Sequence, residues 1–400
     1  MPQDLILLIN QRAHERQKAG FDVINGSIGM LTLDDGSLPI SQEIRSVLAS
    51  HVTDHDLSYS SVAGPKDYAD ALRRWFLASD FDLAAKQGLF SVVATPGGTG
   101  ALTLAFFASR IAHSILLFPS LDWPNYEAIA GGFGLECASY ELYEEGHFAL
   151  RALEKQIKKT LADHDKVVVV INDPCENPTG YSLSASEWQG LASLLNQKEL
   201  RGRVELIVDV AYIDYAEEKT RATLKEAVRS LPEETITSFC FSFSKTFSFY
   251  GLRIGALAVY GQERSFVEAR MNLAIAEARA LWSVPNHMAM NTVTDLISNE
   301  KTFQSLKNNV EANRQMITRR AALFLAEADA VGLPYYPYKD GFFVTLRVKD
   351  AFGLAERLMK KDIFLAPVQA TGLRVALCAL SEKQLKGLAK AIKNTIEEAA

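Results

Sequence analysis

Short apolar runs, each closed by glycine, proline, serine or a charged residue, recur through the middle of the chain: Phe90–Ala94, Ser114–Phe118, Val167–Ile171, Val204–Val208, Ile236–Phe241 and Ile254–Tyr260. Helical segments lie between most of them. Alternation of buried strands with helices predicts a mostly parallel sheet covered on both faces. In such sheets ligands bind outside the carboxyl ends of the strands, which directs attention to the residues that follow each run. Ahead of the sheet, an amphipathic helix runs to about Ala19, and Phe21–Leu38, rich in glycine, serine and aspartate, reads as a loop over a surface or site. From about Asn299 long helices dominate, broken by Tyr335-Tyr336-Pro337-Tyr338 and by two strands, Phe342–Val348 and Leu373–Leu377. The expected fold class is therefore α/β: a large domain at 37–298 with a mostly parallel central sheet, and a smaller α+β domain at 299–400 that the N-terminal helix and loop, 1–36, join.

At 400 residues the chain exceeds one typical core, which agrees with that division. Its hydrophobic fraction of 48% and charged fraction of 22% exclude disordered and fibrous classes. A net charge of −6 without basic stripes speaks against nucleic acid as a partner. The N-terminus has neither the basic leader of a signal peptide nor an apolar run long enough for a membrane span. Four cysteines stand scattered, without a C-x-x-C pair, which suits buried thiols in a reducing compartment rather than disulfides or a metal site. The expectation is a cytoplasmic protein with no membrane partner and no metal.

Chemistry concentrates at the strand ends. Lys245 lies among Phe241, Phe243, Phe247 and Phe249, beside Ser242 and Ser244 and ahead of Arg253. An ammonium is costly to bury, so this amine is neutral, covalently bound or at the mouth of a cavity, unless it is simply a strand-end lysine reaching water. A neutral amine attacks carbonyls, and pyridoxal phosphate is the best-known partner of such Schiff-base chemistry. After the first run, Gly97-Gly98-Thr99-Gly100 opens a helix. Small residues there let backbone N–H groups approach an anion, although taken alone the cluster is first of all a tight strand-to-helix turn. Trp123 follows the second run and offers a planar ring a face to stack on, or fills the core. Asn177-Pro178-Thr179-Gly180 after the third is a turn by composition. Asp209 ends the fourth, with Tyr212 three residues on; a buried carboxylate there needs a cation or a strong donor, for which a protonated pyridine would serve, as would a helix cap or a structural ion pair. One geometry explains all these positions at once.

In order and spacing, Gly-Gly-Thr-Gly-Ala-Leu (97–102), Trp-Pro-Asn (123–125), Asn-Pro-Thr-Gly (177–180), Asp-x-x-Tyr (209–212), Ser-x-x-Lys with its downstream arginine (242–253) and Leu-Arg-Val (373–375) resemble the class I pyridoxal-phosphate aminotransferases of fold type I, in particular the aspartate and aromatic amino-acid branch. The resemblance covers nearly the whole chain. It implies that Lys245 holds the cofactor and shuttles a proton, that Asp209 keeps the pyridine nitrogen protonated, and that Asn177 and Tyr212 bond the ring hydroxyl oxygen while Trp123 stacks. It implies that Gly98, Thr99, Ser242 and Arg253 hold the phosphate, joined by Tyr59 from the other subunit of a homodimer. Arg374 would grip the substrate α-carboxylate, and Ile28 and Gly29 would close over the substrate. Arg279 is similar to the arginine that binds the distal carboxylate of aspartate or glutamate from the neighbouring subunit, but Leu281 and Trp282 stand where that branch commonly has an Asn-Tyr pair. A surface arginine at a helix end is the competing reading.

The expected activity is transfer of an amino group from aspartate or an aromatic amino acid to a 2-oxo acid such as 2-oxoglutarate, in ping-pong fashion. Two rivals stay open on sequence: a lyase or decarboxylase using the same cofactor and fold, and a non-catalytic effector-binding protein that keeps the pocket.

Overall fold

The structure, a computed structural model, describes residues 5–76, 87–110 and 113–398. The chain forms two compact units, a larger one of Ile40–Pro174 and Leu183–Val310 and a smaller one of Met1–Pro39, Cys175–Ser182 and Glu311–Ala400.

The larger unit is built on a seven-stranded sheet in the order Phe90–Thr95, Gly255–Tyr260, Thr237–Ser242, Val204–Asp209, Lys166–Asn172, Ser114–Pro119, Cys137–Tyr140. Every pairing is parallel except the two made by Gly255–Tyr260. The four central strands are buried nearly throughout, as their largely apolar runs require. Because Gly255–Tyr260 runs backwards, with Gly255 opposite both Thr95 and Ser242, the residues just before it reach the same edge as the carboxyl ends of its neighbours. Gly255 is confined there: a Cβ would lie 2.4 Å from the Phe241 carbonyl oxygen. The helix Gly97–Ala108 packs its Ala101, Leu102, Ala105 and Phe106 into the same core as Val168, Val170, Leu257 and Val259.

The smaller unit carries a four-stranded sheet in the order Ile24–Gly26, Ile363–Val368, Gly372–Ala376, Phe343–Arg347, parallel in the first pair and antiparallel in the others. Phe324, Leu333, Val344, Leu365, Val375, Leu388 and Ile392 fill its core. The expected loop at Phe21–Leu38 thus contains a short strand, and Ile363–Val368 is a further strand beyond the two expected there.

These units differ from the expected boundaries in one respect that bears on the site. Cys175–Ser182, inside the expected large domain, belongs to the smaller unit. Its turn is tied there by the Thr345 hydroxyl, which donates to the Pro178 carbonyl at 2.7 Å, and by the backbone N–H groups of Lys339 and Asp340, which donate to the Gly180 carbonyl at 2.9 and 3.0 Å. Gly180 has φ +77°, and a Cβ on it would meet the Tyr338 ring at 2.3 Å, so the close approach needs glycine. The other two edges fall at Pro39 and Val310, against the expected 36 and 298. Among the described residues no helix is long and apolar enough to cross a membrane.

Candidate active site

In the larger unit, the strand ends gather most of the residues singled out by the sequence. Ser242 ends its strand buried, and Lys245 follows in the short helix Phe243–Thr246, half-buried, with the Tyr215 hydroxyl donating to its carbonyl at 2.9 Å. Its Nζ lies 5.6 Å from the Tyr212 ring centroid and 5.1 Å from that of Tyr250. The ammonium therefore faces two aromatic rings. Beneath it, Phe243, Phe247 and Phe249 are buried in contact with one another.

Asp209 is buried at the end of its strand. Its Oδ2 accepts from the Tyr126 hydroxyl at 2.7 Å and its Oδ1 from the Ala211 backbone N–H at 3.1 Å. Burial pushes its carboxyl up to about 6, and those two hydrogen bonds together with the Lys245 charge hold it from rising further. A carboxylate so placed gains from an added cation. Trp123, half-buried, meets the Tyr126 ring edge-on at 5.7 Å, so one helical turn links the expected stacking residue to the carboxylate's partner.

Gly97 has φ +76°, and a Cβ there would lie 2.6 Å from Arg253 Nη2, while one on Gly98 would lie 3.0 Å from the Ser242 Cβ. The missing side chains let the helix start, with half-buried Gly98 and Thr99, draw up to Ser242 and Arg253. Arg253, exposed and with φ +52°, donates from Nη1 to the Ser244 hydroxyl at 2.9 Å. A helix N-terminus, hydroxyls and a guanidinium around a space that side chains would otherwise fill suit a phosphate dianion.

Tyr59 and Arg279, each expected to serve a neighbouring subunit, share one open pocket of the larger unit, about 470 Å³ in volume, together with Ser60, Ser61, Val62, Ser283 and Val284. Tyr59 is 91% exposed. Arg279 donates to the Ser283 hydroxyl and meets no carboxylate among the described residues.

In the smaller unit, Arg374 is buried on the Gly372–Ala376 strand. Its Nη1 donates to Asn177 Oδ1 at 3.0 Å and its Nη2 to the Ser27 carbonyl at 2.6 Å. Ile28 and Gly29 follow Ser27 directly and are half-buried. The Asn-Pro-Thr-Gly turn and the late arginine, 197 residues apart in sequence, are thus joined by a hydrogen bond.

The residues match the sequence profile described as aminotransferase class I and II over 21–392. The chain belongs to that family. This aminotransferase is 27% identical to the aromatic-amino-acid aminotransferase of Escherichia coli K12 over 323 residues, 78% of each chain. It is 26% identical to an aspartate aminotransferase of Salmonella typhi over 312 residues, 76% of this chain and 75% of the other. Among solved structures, an aminotransferase of Anaerococcus prevotii superposes with a TM-score of 0.92 at 29% identity, covering 99% of this chain and 97% of that one. The protein is a pyridoxal-phosphate-dependent transaminase of fold type I, and the glycine-lined cradle and the buried Asp209 fit that cofactor.

Three residues around the site carried no signal in the sequence. Tyr126 is the second residue of the helix Asn125–Gly132, Tyr250 sits in an aromatic-rich loop, and Ser27 acts through its backbone carbonyl. Only the nearness of Tyr126 to Trp123, three positions on through the turn that opens a helix, could have flagged one of them.

Proposed function

We propose that this aminotransferase takes its amino group from aspartate or an aromatic amino acid and passes it to a 2-oxo acid such as 2-oxoglutarate, as a cytoplasmic homodimer. The reading of the cofactor site is carried by the half-buried Lys245 amine, held between two tyrosine rings at the strand ends in the unit that also buries Asp209. The bound cofactor supplies an electron sink for the bond broken at the substrate Cα. Lys245 would hold the cofactor through Nζ and, once free, would move the proton at the substrate Cα. Asp209 keeps a proton on the pyridine nitrogen through its charge. Tyr212, Asn177 and Trp123 would hold the cofactor ring, and Gly98, Thr99, Ser242 and Arg253 would bind the phosphate with Tyr59 of a second subunit. Arg374 binds the α-carboxylate, and Ile28 and Gly29 shield the substrate from water.

The site assignment is tested by reducing the holoenzyme with borohydride and mapping the labelled peptide. Label on Lys245 is the expected result; label on another lysine sinks it.

For the substrate, the pocket at Arg279 supports a distal carboxylate, since an exposed guanidinium among three serine hydroxyls suits an anion, while Val62 and Val284 leave room for an aromatic side chain. If Arg279 meets the distal carboxylate in a closed, dry site, Arg279→Ala leaves that carboxylate buried and unpaired, at a cost of roughly 3–5 kcal/mol. Aspartate and glutamate half-reactions then slow about 10²–10⁴-fold in kcat/KM while those of phenylalanine and tyrosine are spared. Equal losses for both types remove Arg279 from substrate selection.

A further inference from the structure

Arg374 is aimed by three groups, and each comes from a different stretch of chain. Asn177 Oδ1 and the Ser27 carbonyl accept from the two tips of the guanidinium fork, at 3.0 and 2.6 Å. The third is the Phe343 ring, whose centroid lies 4.4 Å from the Arg374 Cζ. In the antiparallel pair of strands Thr345 stands opposite Arg374, so Phe343, two residues along, is its diagonal neighbour on the same face. An amide oxygen, a backbone carbonyl and a ring carry no net charge. They orient the plane of the guanidinium, whose planar fork matches a carboxylate.

Two of these three groups lead back to the segment that carries Ile28 and Gly29. The Ser27 carbonyl belongs to that segment, and its direction is set by Asn25: both the Ser27 hydroxyl and its backbone N–H donate to Asn25 Oδ1, at 2.7 and 3.3 Å. Asn25 in turn donates from Nδ2 to Asn10 Oδ1 at 2.8 Å, on the first helix. On its other side Phe343 touches Gly29, where a Cβ would stand 2.5 Å from the ring Cζ and 3.1 Å from Cε1. A side chain at position 29 therefore displaces the ring on which Arg374 rests.

We propose that Phe343, wedged between Gly29 and Arg374, is a positioning residue that locks the orientation of the α-carboxylate arginine to the Ser27–Gly29 segment. The inference rests on the reading of Arg374 given above. A ring shared between arginine and segment makes the two a single piece: a segment out of place tilts the guanidinium fork, and a bidentate carboxylate contact weakens steeply when its plane tilts. Phe343 acts only through Arg374, so its loss concerns substrates with an α-carboxylate and no others.

The test compares each amino acid with the amine that lacks only that group: phenylalanine with 2-phenylethylamine, and aspartate with β-alanine. Half-reaction rates are followed in the holoenzyme by loss of absorbance of the lysine-bound cofactor. Phe343→Leu, which keeps an apolar side chain and removes the ring, is expected to lower kcat/KM for the amino acids about 10–100-fold, chiefly through KM, and to leave the amines within about twofold of the parent, while Gly29→Ala, which pushes the ring, is expected to lower the amino acids by more than the amines. Phe343→Tyr, which keeps the ring face, restores most of the loss. The absorbance of the lysine-bound cofactor and its pH titration stay unchanged in all three. Equal losses on acid and amine, or none on either, overturn the proposal. Arg374→Ala separates the two levels of argument. If it discriminates acid from amine while Phe343→Leu and Gly29→Ala do not, Arg374 keeps its role and Phe343 loses its own; if it treats acid and amine alike, the α-carboxylate reading falls and the inference with it.

Discussion

The Asp209 region of the larger unit and the Arg374 region of the smaller one solve opposite problems. Asp209 is a buried anion whose surroundings govern its charge: Tyr126 and Ala211 donate to it, Lys245 attracts it, and burial opposes all three strongly enough to push its carboxyl up to about 6. Arg374 is a buried cation whose charge is beyond adjustment in the working pH range, and its surroundings govern direction instead, through an amide oxygen, a carbonyl and a ring. Damage to the first region should therefore appear in protonation and in the chemical step. Damage to the second should appear in substrate affinity. The mounting differs in degree: Asp209 has one donor, Ala211, at its own strand end and one, Tyr126, from a distant helix, whereas Arg374 draws on residues 27, 177 and 343.

The largest effect that could break this comparison is at Asp209. Asp209→Ala should leave the fold largely intact, because neighbouring strands and not the carboxylate hold the sheet, yet depress turnover by about 10³-fold or more, with little change in KM. Single-turnover rates with saturating amino acid measure it directly. Turnover within about tenfold of the parent, equivalent to ~1.4 kcal/mol in the barrier, would show that Asp209 is structural and that the division between the two regions is false.

How far each region could be read from sequence follows from the same difference in mounting. The strand Val204–Asp209 is apolar up to its last residue apart from Glu205, which Arg270 and Lys166 neutralise inside the fold, so both the strand and its terminal carboxylate stood out. Lys166–Asn172 and Thr237–Ser242 were legible for the same reason. The edge strand Cys137–Tyr140 was not: its alternate positions are exposed, and no apolar run marks it. In the smaller unit, Ile363–Val368 was hidden by Pro367, which reads as a strand breaker. The structure accommodates it because the pairing with Ile24–Gly26 ends at Leu365, so Pro367 faces a strand on one side only. Ile24–Gly26 itself is three residues in a glycine- and serine-rich stretch, too short to carry a period. Asn177 and Arg374 were visible as motif residues, but their hydrogen bond depends on a turn being held in the smaller unit by Thr345, Lys339 and Asp340, and no local pattern encodes that.

The finer test is at Tyr126, where the comparison predicts a change of charge with little change of shape. Tyr126 is fully buried, stacked on Phe118 at 5.7 Å and close to Phe106 at 6.2 Å, so Tyr126→Phe keeps the packing and removes only the hydroxyl that donates to Asp209. A hydrogen bond to the ionised form favours that form, so its loss raises the Asp209 carboxyl further. In the cofactor-free protein the sign follows from linkage. Unfolded, Asp209 loses its proton near 3.8; folded, it keeps the proton until about 6, so across that window the native state holds the extra proton and stability falls as pH rises. Above the folded value the loss is complete, at most ~3 kcal/mol for a shift of that size. Tyr126→Phe extends the window upward, so between pH 6 and 7 the variant should lose more stability than the parent, whose remaining slope there comes from Asp122, pushed up to about 7 by burial. Asp209→Asn should remove Asp209's share of the slope and leave that of Asp122, and adding Tyr126→Phe to it should bring none of the lost share back. Unfolding free energies of the four cofactor-free proteins from pH 4 to 8 decide the matter, and turnover of the Tyr126→Phe holoenzyme should fall by roughly tenfold, about 1.4 kcal/mol. Parallel pH slopes in parent and Tyr126→Phe would mean that the hydroxyl fills space beside Asp209 without governing its charge.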